Sequence, residues 1–231
     1  MSLEKIITID GPSGSGKGTV TQLVAAKLGW HILDSGALYR VMGLAAKRHQ
    51  IPLSDEKSLS QLALNLDLQF VLNPELNEVE PILEGENLSR EIRTDEAAQA
   101  ASHVAPILSV REALLQCQRD FYQAPGLVAD GRDMGTIVFP NAPAKIFLTA
   151  SAECRAERRY NQLKNKGVSA NMRALLDSIK ARDERDQTRS VAPLVPAEGA
   201  FVVDSSLLTI EQVISQVLEF AAKNIPDLGL S

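Results

Sequence analysis

The sequence predicts an α/β fold, a parallel sheet covered by helices, on three observations. Short apolar runs ending in turn residues, KIITID, HILD, GLVADG, AKIFLTA and AFVVD, alternate with longer segments of helical periodicity, as in βαβ units. The runs are apolar at consecutive positions, which suits strands buried on both faces. The 231 residues suffice for a full core and sit near the upper end of one domain, so a single domain over 1–231 with an insertion is expected. Ligands bind such sheets beyond the carboxyl ends of the strands, and the site is expected there.

Along the chain, MSLEKIITIDG opens with the first strand, having no long apolar segment followed by a cleavage-type site. TVTQLVAAKL reads as a helix and HILD as the next strand. The alternation breaks at LDLQFVL, EVEPILEG and ENLS, strand-like runs between Asn-Pro and Gly turn signals, which predicts a small antiparallel insertion over about residues 67–90. GLVADG and AKIFLTA resume the parallel pattern, and SVAPLVPAEG is a loop leading into AFVVD. From about Thr209 to Lys223, the residues Ile210, Val213, Ile214, Val217, Leu218 and Ala221 form one apolar stripe, the core face of a final helix.

With 45% hydrophobic and 23% charged residues the chain has the balance of a folded globular protein. A net charge of -5 argues against coating nucleic acid, so no nucleic-acid partner is expected. No apolar stretch approaches the roughly 20 residues of a membrane-spanning helix, so no membrane partner and a cytoplasmic location are expected. Cys117 and Cys154 lack CxxC spacing and are read as buried thiols; His31, His49 and His103 lack metal-ligand spacing.

Between the first strand and the first helix lies Gly11-Pro12-Ser13-Gly14-Ser15-Gly16-Lys17-Gly18-Thr19, a GxxxxGK motif in the strand-loop-helix context it requires. Its glycines permit the backbone angles that turn successive N–H groups inward, and the helix N-terminus adds positive charge, which makes a polyphosphate cradle. Lys17 reaches the β- and γ-phosphates in such a loop. The general motif has Ser or Thr after the lysine to hold Mg²⁺, but here that residue is Gly18, which leaves Thr19 as the candidate. Asp10, Asp34 and Asp130 each end an apolar run, where an acid near a Mg²⁺ water shell and a helix cap or turn residue are both reasonable readings.

Together with the loop, LDSGALYR, EIRTDE, VREALL, LVADGRDMGT and IKARDERDQTRSVAPL resemble bacterial cytidylate kinases over nearly the whole chain, and GKGT is the form seen in many nucleoside monophosphate kinases. The resemblance implies a P-loop nucleoside monophosphate kinase fold: a five-stranded parallel sheet flanked by helices, a small antiparallel insertion within an acceptor-binding region at 36–103, and a helical lid at 152–168. It implies ATP as phosphoryl donor with Mg²⁺, and CMP and deoxy-CMP as acceptors. Ser35 and Arg40 lie beside the acceptor by resemblance, with Arg40 on its phosphate. Ser102, Arg111 and Asp133 resemble readers of the cytosine edge, and Arg182 and Asp186 the sugar-edge pair. The chemistry is consistent, because O2 and N3 of cytosine accept from Arg or a hydroxyl while its amine donates to a carboxylate. Uracil would set a carbonyl against that carboxylate, so CMP is expected over UMP.

Phosphoryl transfer needs electrostatic clamping, for which Arg forks suit phosphate oxygens. Arg182, Asp186 and Arg189 are spaced i, i+4, i+7 and share a helical face if the helix runs that far. Arg132 follows the strand GLVAD and emerges at a carboxyl end. The resemblance puts Arg132 and Arg189 on the acceptor phosphate. Arg155, Arg158 and Arg159, ending near Gly167 as a hinge, are lid arginines over ATP by resemblance, although with Glu153 and Glu157 interleaved they also read as a solvated helix face. Lys17, Arg132, Arg182 and Arg189 are the candidate catalytic groups, and a monomer is expected. A kinase of another small acceptor would keep the cradle and lose the Ser102, Arg111, Asp133 readout. A GTP-dependent switch is disfavoured, since Asn165-Lys166 is followed by Gly167-Val168 and no guanine-reading NKxD is present.

Overall fold

β1 (Ile6–Asp10) and β6 (Leu127–Gly131) are buried at every residue and pair in parallel, Ile6 opposite Leu127 through Asp10 opposite Gly131. β7 (Ala144–Thr149) pairs in parallel with the other side of β1, and β8 (Phe201–Asp204) with β7. With β2 (His31–Asp34) beyond β6 the order is β2-β6-β1-β7-β8, the expected five-stranded sheet, with β1 at its centre. The computed structural model describes residues 5–73, 78–165 and 167–228; residues 1–4 of the opening segment, 74–77 of the insertion and Lys166 of the lid lie outside the described residues.

The chain divides into two units, Met1–Leu33 with Arg119–Ser231, and Asp34–Gln118. In the first, Ile7 and Ile9 of β1 and Ile146 and Leu148 of β7 pack with Val20, Val24 and Leu28 of α1 (Lys17–Leu28) and with Val213, Ile214 and Val217 of α8 (Ile210–Asn224). Burying each such side chain stabilises the fold by about 1.5–3 kcal/mol. The stripe read along the last helix is this contact. Its start is fixed by Thr209, whose hydroxyl accepts from the Gln212 N–H while the Gln212 side chain returns a bond to the Thr209 N–H, a capping box. The other face of β1 carries Thr8 and Asp10, against which the π-helical turn Met134–Val138 lies; a Cβ on Gly135 would come within 2.9 Å of Thr8 Oγ1. α6 (Ala152–Asn165) and α7 (Met172–Thr188) complete this unit.

The second unit holds α2 (Ser35–Arg48), α3 (Glu56–Leu64), α4 (Asp95–Val104) and α5 (Leu108–Arg119) around Leu38, Met42, Leu59, Val104, Val110 and Leu114. Asp34 caps α2, its carboxylate accepting from the Ala37 N–H at 2.9 Å, so its helix-cap reading is the one realised. β3 (Leu68–Asn73), β4 (Glu78–Leu83) and β5 (Glu86–Asn87) form an antiparallel sheet where the insertion was expected.

One expectation is corrected. Cys117 and Cys154 are free thiols but only partly buried. Cys117 lies at the margin of the α2–α5 core, and Cys154 in the first turn of α6, beside exposed Glu153 and 3.7 Å from the Ser206 carbonyl. The helix bearing Arg182 and Asp186 ends at Thr188, and Arg189 is its C-cap: its N–H still donates to the Arg185 carbonyl, and its ψ of 139° turns the chain away after it. Proline follows shortly in SVAPLVP, and the chain turns there, with the Leu194 N–H donating to the Asp186 carbonyl.

Candidate active site

The glycine loop leaves the carboxyl end of the central strand and runs into the N-terminus of α1. Gly11 is required by close approach: a Cβ there would stand 2.0 Å from the Leu148 carbonyl oxygen. Gly16, the N-cap of α1, has φ 98°, which a side-chain-bearing residue rarely adopts. The loop thus passes tight against β7 and delivers α1 with its orphan N–H groups and dipole toward the loop. Lys17 is 6% exposed; its ammonium donates to the Pro12 carbonyl at 3.0 Å and lies 3.9 Å from Asp130 at the end of β6. The Ser15 hydroxyl is buried and makes no hydrogen bond among the described residues. A nest of N–H groups, a buried ammonium and a buried hydroxyl with capacity to spare suit a polyphosphate.

The back of the loop is gripped by side chains. Arg155, 4% exposed, donates from Nη1 to the Ser13 carbonyl at 3.1 Å and from Nε to the Ala150 carbonyl at 2.9 Å. Arg158 donates to the Ser15 carbonyl at 3.3 Å and to Ser205, whose hydroxyl lies 3.0 Å from the same Ser15 carbonyl. Arg182 donates to the Ser13 hydroxyl at 3.3 Å. Arg159 is half-buried on α6. Sequence reasoning missed Asp183, which forks Arg155 through both its oxygens, and Ser205. Asp183 stands inside the quoted IKARDERDQTR, but its charge carries no spacing signal; Ser205 closes a strand after the loop SVAPLVPAEG and belongs to no motif.

A second cluster surrounds the turn after β6. Arg132 Nε donates to Asp186 at 2.8 Å, joining the turn to α7. Arg189 Nε donates to the Ala192 carbonyl at 2.6 Å. Asp133 is 3% exposed and its carbonyl accepts from the Ile137 and Val138 N–H groups. Asp10 holds the same turn, its two oxygens accepting from the Met134 and Gly135 N–H groups at 2.9 and 2.8 Å. Burial is the main reason its carboxyl is pushed up to about 6; the two N–H bonds and Lys17 lower it, and the Asp133 charge raises it. Asp10 therefore anchors the Asp133 turn.

In the other unit, Ser35 opens α2 and is 5% exposed. Arg40 donates to the Ile92 carbonyl at 2.6 Å, and Ser102 on α4 donates to the Ala98 carbonyl one turn back at 3.0 Å. Arg111 on α5 is 7% exposed, donates to the Ala105 carbonyl at 3.1 Å, and lies 5.6 Å above the Tyr39 ring.

Mg²⁺ asks for few protein oxygens, keeping waters and substrate phosphates as its other ligands. Among the described residues there is no group of three or more His, Cys, Asp or Glu side chains that could cage a metal. Near the lysine stand the Asp130 carboxylate, 3.9 Å from its ammonium, and the buried Asp10, while the exposed Thr19 lies in the first turn of α1. That small, hard donor set fits Mg²⁺ shared with phosphates.

A lysine buried in a glycine nest, at the carboxyl end of the central strand of a parallel sheet, is the donor apparatus of P-loop phosphotransferases, and fold and site assign the chain to that class. The model of the family described as cytidylate kinase matches residues 7–223, and the chain belongs to that family. It is similar to the cytidylate kinase of Colwellia psychrerythraea, 59% identical over 216 residues, covering 94% of this chain and 95% of that one. It is also similar to those of Aeromonas salmonicida, 56% identical with 98% and 97% covered, and Shewanella sediminis, 56% identical with 97% of each covered. No described helix is long and apolar enough to cross a membrane.

Proposed function

We propose that this chain transfers the γ-phosphoryl group of ATP to CMP, and to deoxy-CMP, giving ADP and CDP or deoxy-CDP. The observation that carries the reading is the buried Lys17 ammonium at the mouth of the glycine nest, in a chain of the cytidylate kinase family. The loop N–H groups and Lys17 bind the donor phosphates, and Lys17 follows charge toward the bridging oxygen as the bond to the γ-phosphorus breaks. Arg132, Arg182 and Arg189 hold the acceptor phosphate in line and offset charge on the transferring oxygens. No general base is needed, because the attacking oxygen already belongs to an anion; positioning supplies much of the acceleration. Thr19 and Asp130 would hold Mg²⁺, which would supply charge neutralisation on the donor phosphates.

On the acceptor side, Ser35 and Arg40 bind beside the CMP phosphate, Ser102 and Arg111 donate to the cytosine O2 and N3 edge, and Asp133 accepts from its amine. Asp186 receives the ribose hydroxyls, with Arg182 beside them. Arg155, Arg158 and Arg159 stand on the donor side of the reading, with α6 as the lid, and closing it would exclude water from the transfer. The chain acts in this reading as a cytoplasmic monomer.

The test is ADP formation from MgATP with CMP, deoxy-CMP, UMP, AMP and GMP offered separately, beside Lys17→Ala. CMP-dependent turnover that exceeds the others and vanishes in the variant is expected. Equal stimulation by AMP or UMP would make the chain a kinase of another small acceptor, and no stimulation by any monophosphate would contradict the reading.

A further inference from the structure

The Arg155–Asp183 pair does something that an ordinary ion pair between helices does not. Arg155 places Nε on the Ala150 carbonyl and shares Nη1 between the Ser13 carbonyl and Asp183 Oδ1, at 3.1 and 2.9 Å, while Nη2 meets Asp183 Oδ2 at 2.5 Å. A bidentate carboxylate removes the guanidinium's rotational freedom, so the direction of the bond to Ser13 is set by where Asp183 stands. A trans peptide is planar, and the carbonyl of one residue points opposite to the N–H of the next. Holding the Ser13 carbonyl against Arg155 therefore turns the Gly14 N–H away from Arg155, and the hold on the Ser15 carbonyl does the same for Gly16. The stem takes part as well, since a Cβ on Gly14 would sit 3.4 Å from the Arg155 Cβ.

We propose that Asp183 is a positioning residue for the donor loop, which through the Arg155 guanidinium fixes the peptide between Ser13 and Gly14 and so sets affinity for ATP. The inference rests on the reading of residues 11–19 as the ATP cradle. It gives Arg155 a structural duty behind the loop, since most of its N–H groups are spent on Ala150, Ser13 and Asp183. It also ties the loop to α7, because Arg182, next to Asp183, donates to the Ser13 hydroxyl.

A double-mutant cycle tests this, with Michaelis constants for ATP and CMP and thermal melts for the wild type, D183N, R155M and R155M/D183N. D183N keeps the shape and loses the fork. It should raise the KM for ATP about tenfold, the size of losing a hydrogen bond to a charged group, with the KM for CMP nearly unchanged. If Asp183 acts through Arg155, then R155M/D183N is no worse toward ATP than R155M alone. A role in stability alone behaves differently, because removing both charges restores what stranding one of them costs. That double variant should therefore melt above R155M while its KM for ATP stays raised. A wild-type KM for ATP in folded D183N, or a double variant worse than R155M by the full D183N factor, overturns the proposal. If D183N does not fold, the double variant carries the test, and a wild-type KM for ATP in it overturns the proposal. Undiminished ATP turnover in Lys17→Ala would overturn it at the cradle reading instead.

Discussion

The two units differ in the partners of their candidate-site arginines. In Met1–Leu33 with Arg119–Ser231, Arg132 is held by Asp186 and Arg155 by Asp183, carboxylates far away in sequence, while Arg158 and Arg189 donate to backbone carbonyls. In Asp34–Gln118, the bonds of Arg40 and Arg111 run to the backbone carbonyls of Ile92 and Ala105. A carboxylate fork fixes the guanidinium plane and offsets its charge, whereas a carbonyl fixes position and leaves the full positive charge. The fork at Arg155 suits a group whose geometry must be right before a ligand arrives. In the proposed reading, Asp186 would share Arg132 with the acceptor phosphate.

The largest effects are expected in the first unit. Lys17→Ala removes the buried ammonium and should lower turnover by about a thousandfold, the upper range for one preorganised donor, measured as ADP formation at saturating substrates. Arg132→Ala or Arg189→Ala should lower it by about a hundredfold, and near-wild-type turnover in both would remove the clamp from the account.

Asp10 sharpens the comparison through pH. Its folded pKa of about 6 lies above the ordinary 3.8, so the folded state keeps the proton longer than the unfolded one. The favourable contribution is full below about pH 4 and is lost as pH rises through about 6, a change on the order of 3 kcal/mol. Urea unfolding from pH 4 to 7 should therefore move in favour of Asp10→Asn relative to wild type, and a constant difference would contradict the burial argument. Smaller effects belong to the second unit: Arg111→Ala should reduce kcat/KM for CMP about tenfold, and Asp133→Asn, in the first, should narrow the CMP over UMP preference by a similar factor, both read from paired acceptor kinetics. Smallest is Thr209→Ala, far from the loop, which should cost about 1 kcal/mol in stability and leave turnover unchanged.

The same contrast explains what was legible. The cradle could be read outright because its requirements are local: glycine angles, a lysine at fixed spacing, a strand before and a helix after. The sheet and the final helix were legible because the apolar period is written in neighbouring residues, as in Val213, Ile214 and Val217. Asp183, Ser205 and the anchoring role of Asp10 were not, since each acts on backbone groups that only folding brings near. Arg189 could be read on a helical face only if the helix ran that far, because spacing cannot tell where a helix stops. The acceptor residues entered through resemblance, because a serine on one helix and an arginine on another have no periodicity in common.

The most direct test of phosphoryl transfer is phosphorus NMR of MgATP and CMP with catalytic amounts of the protein. The account predicts that the CMP monoester resonance declines as the two resonances of a CDP diphosphate grow with those of ADP, without net release of orthophosphate. Orthophosphate growing while the CMP resonance stays unchanged would mean hydrolysis in place of transfer, and would contradict it.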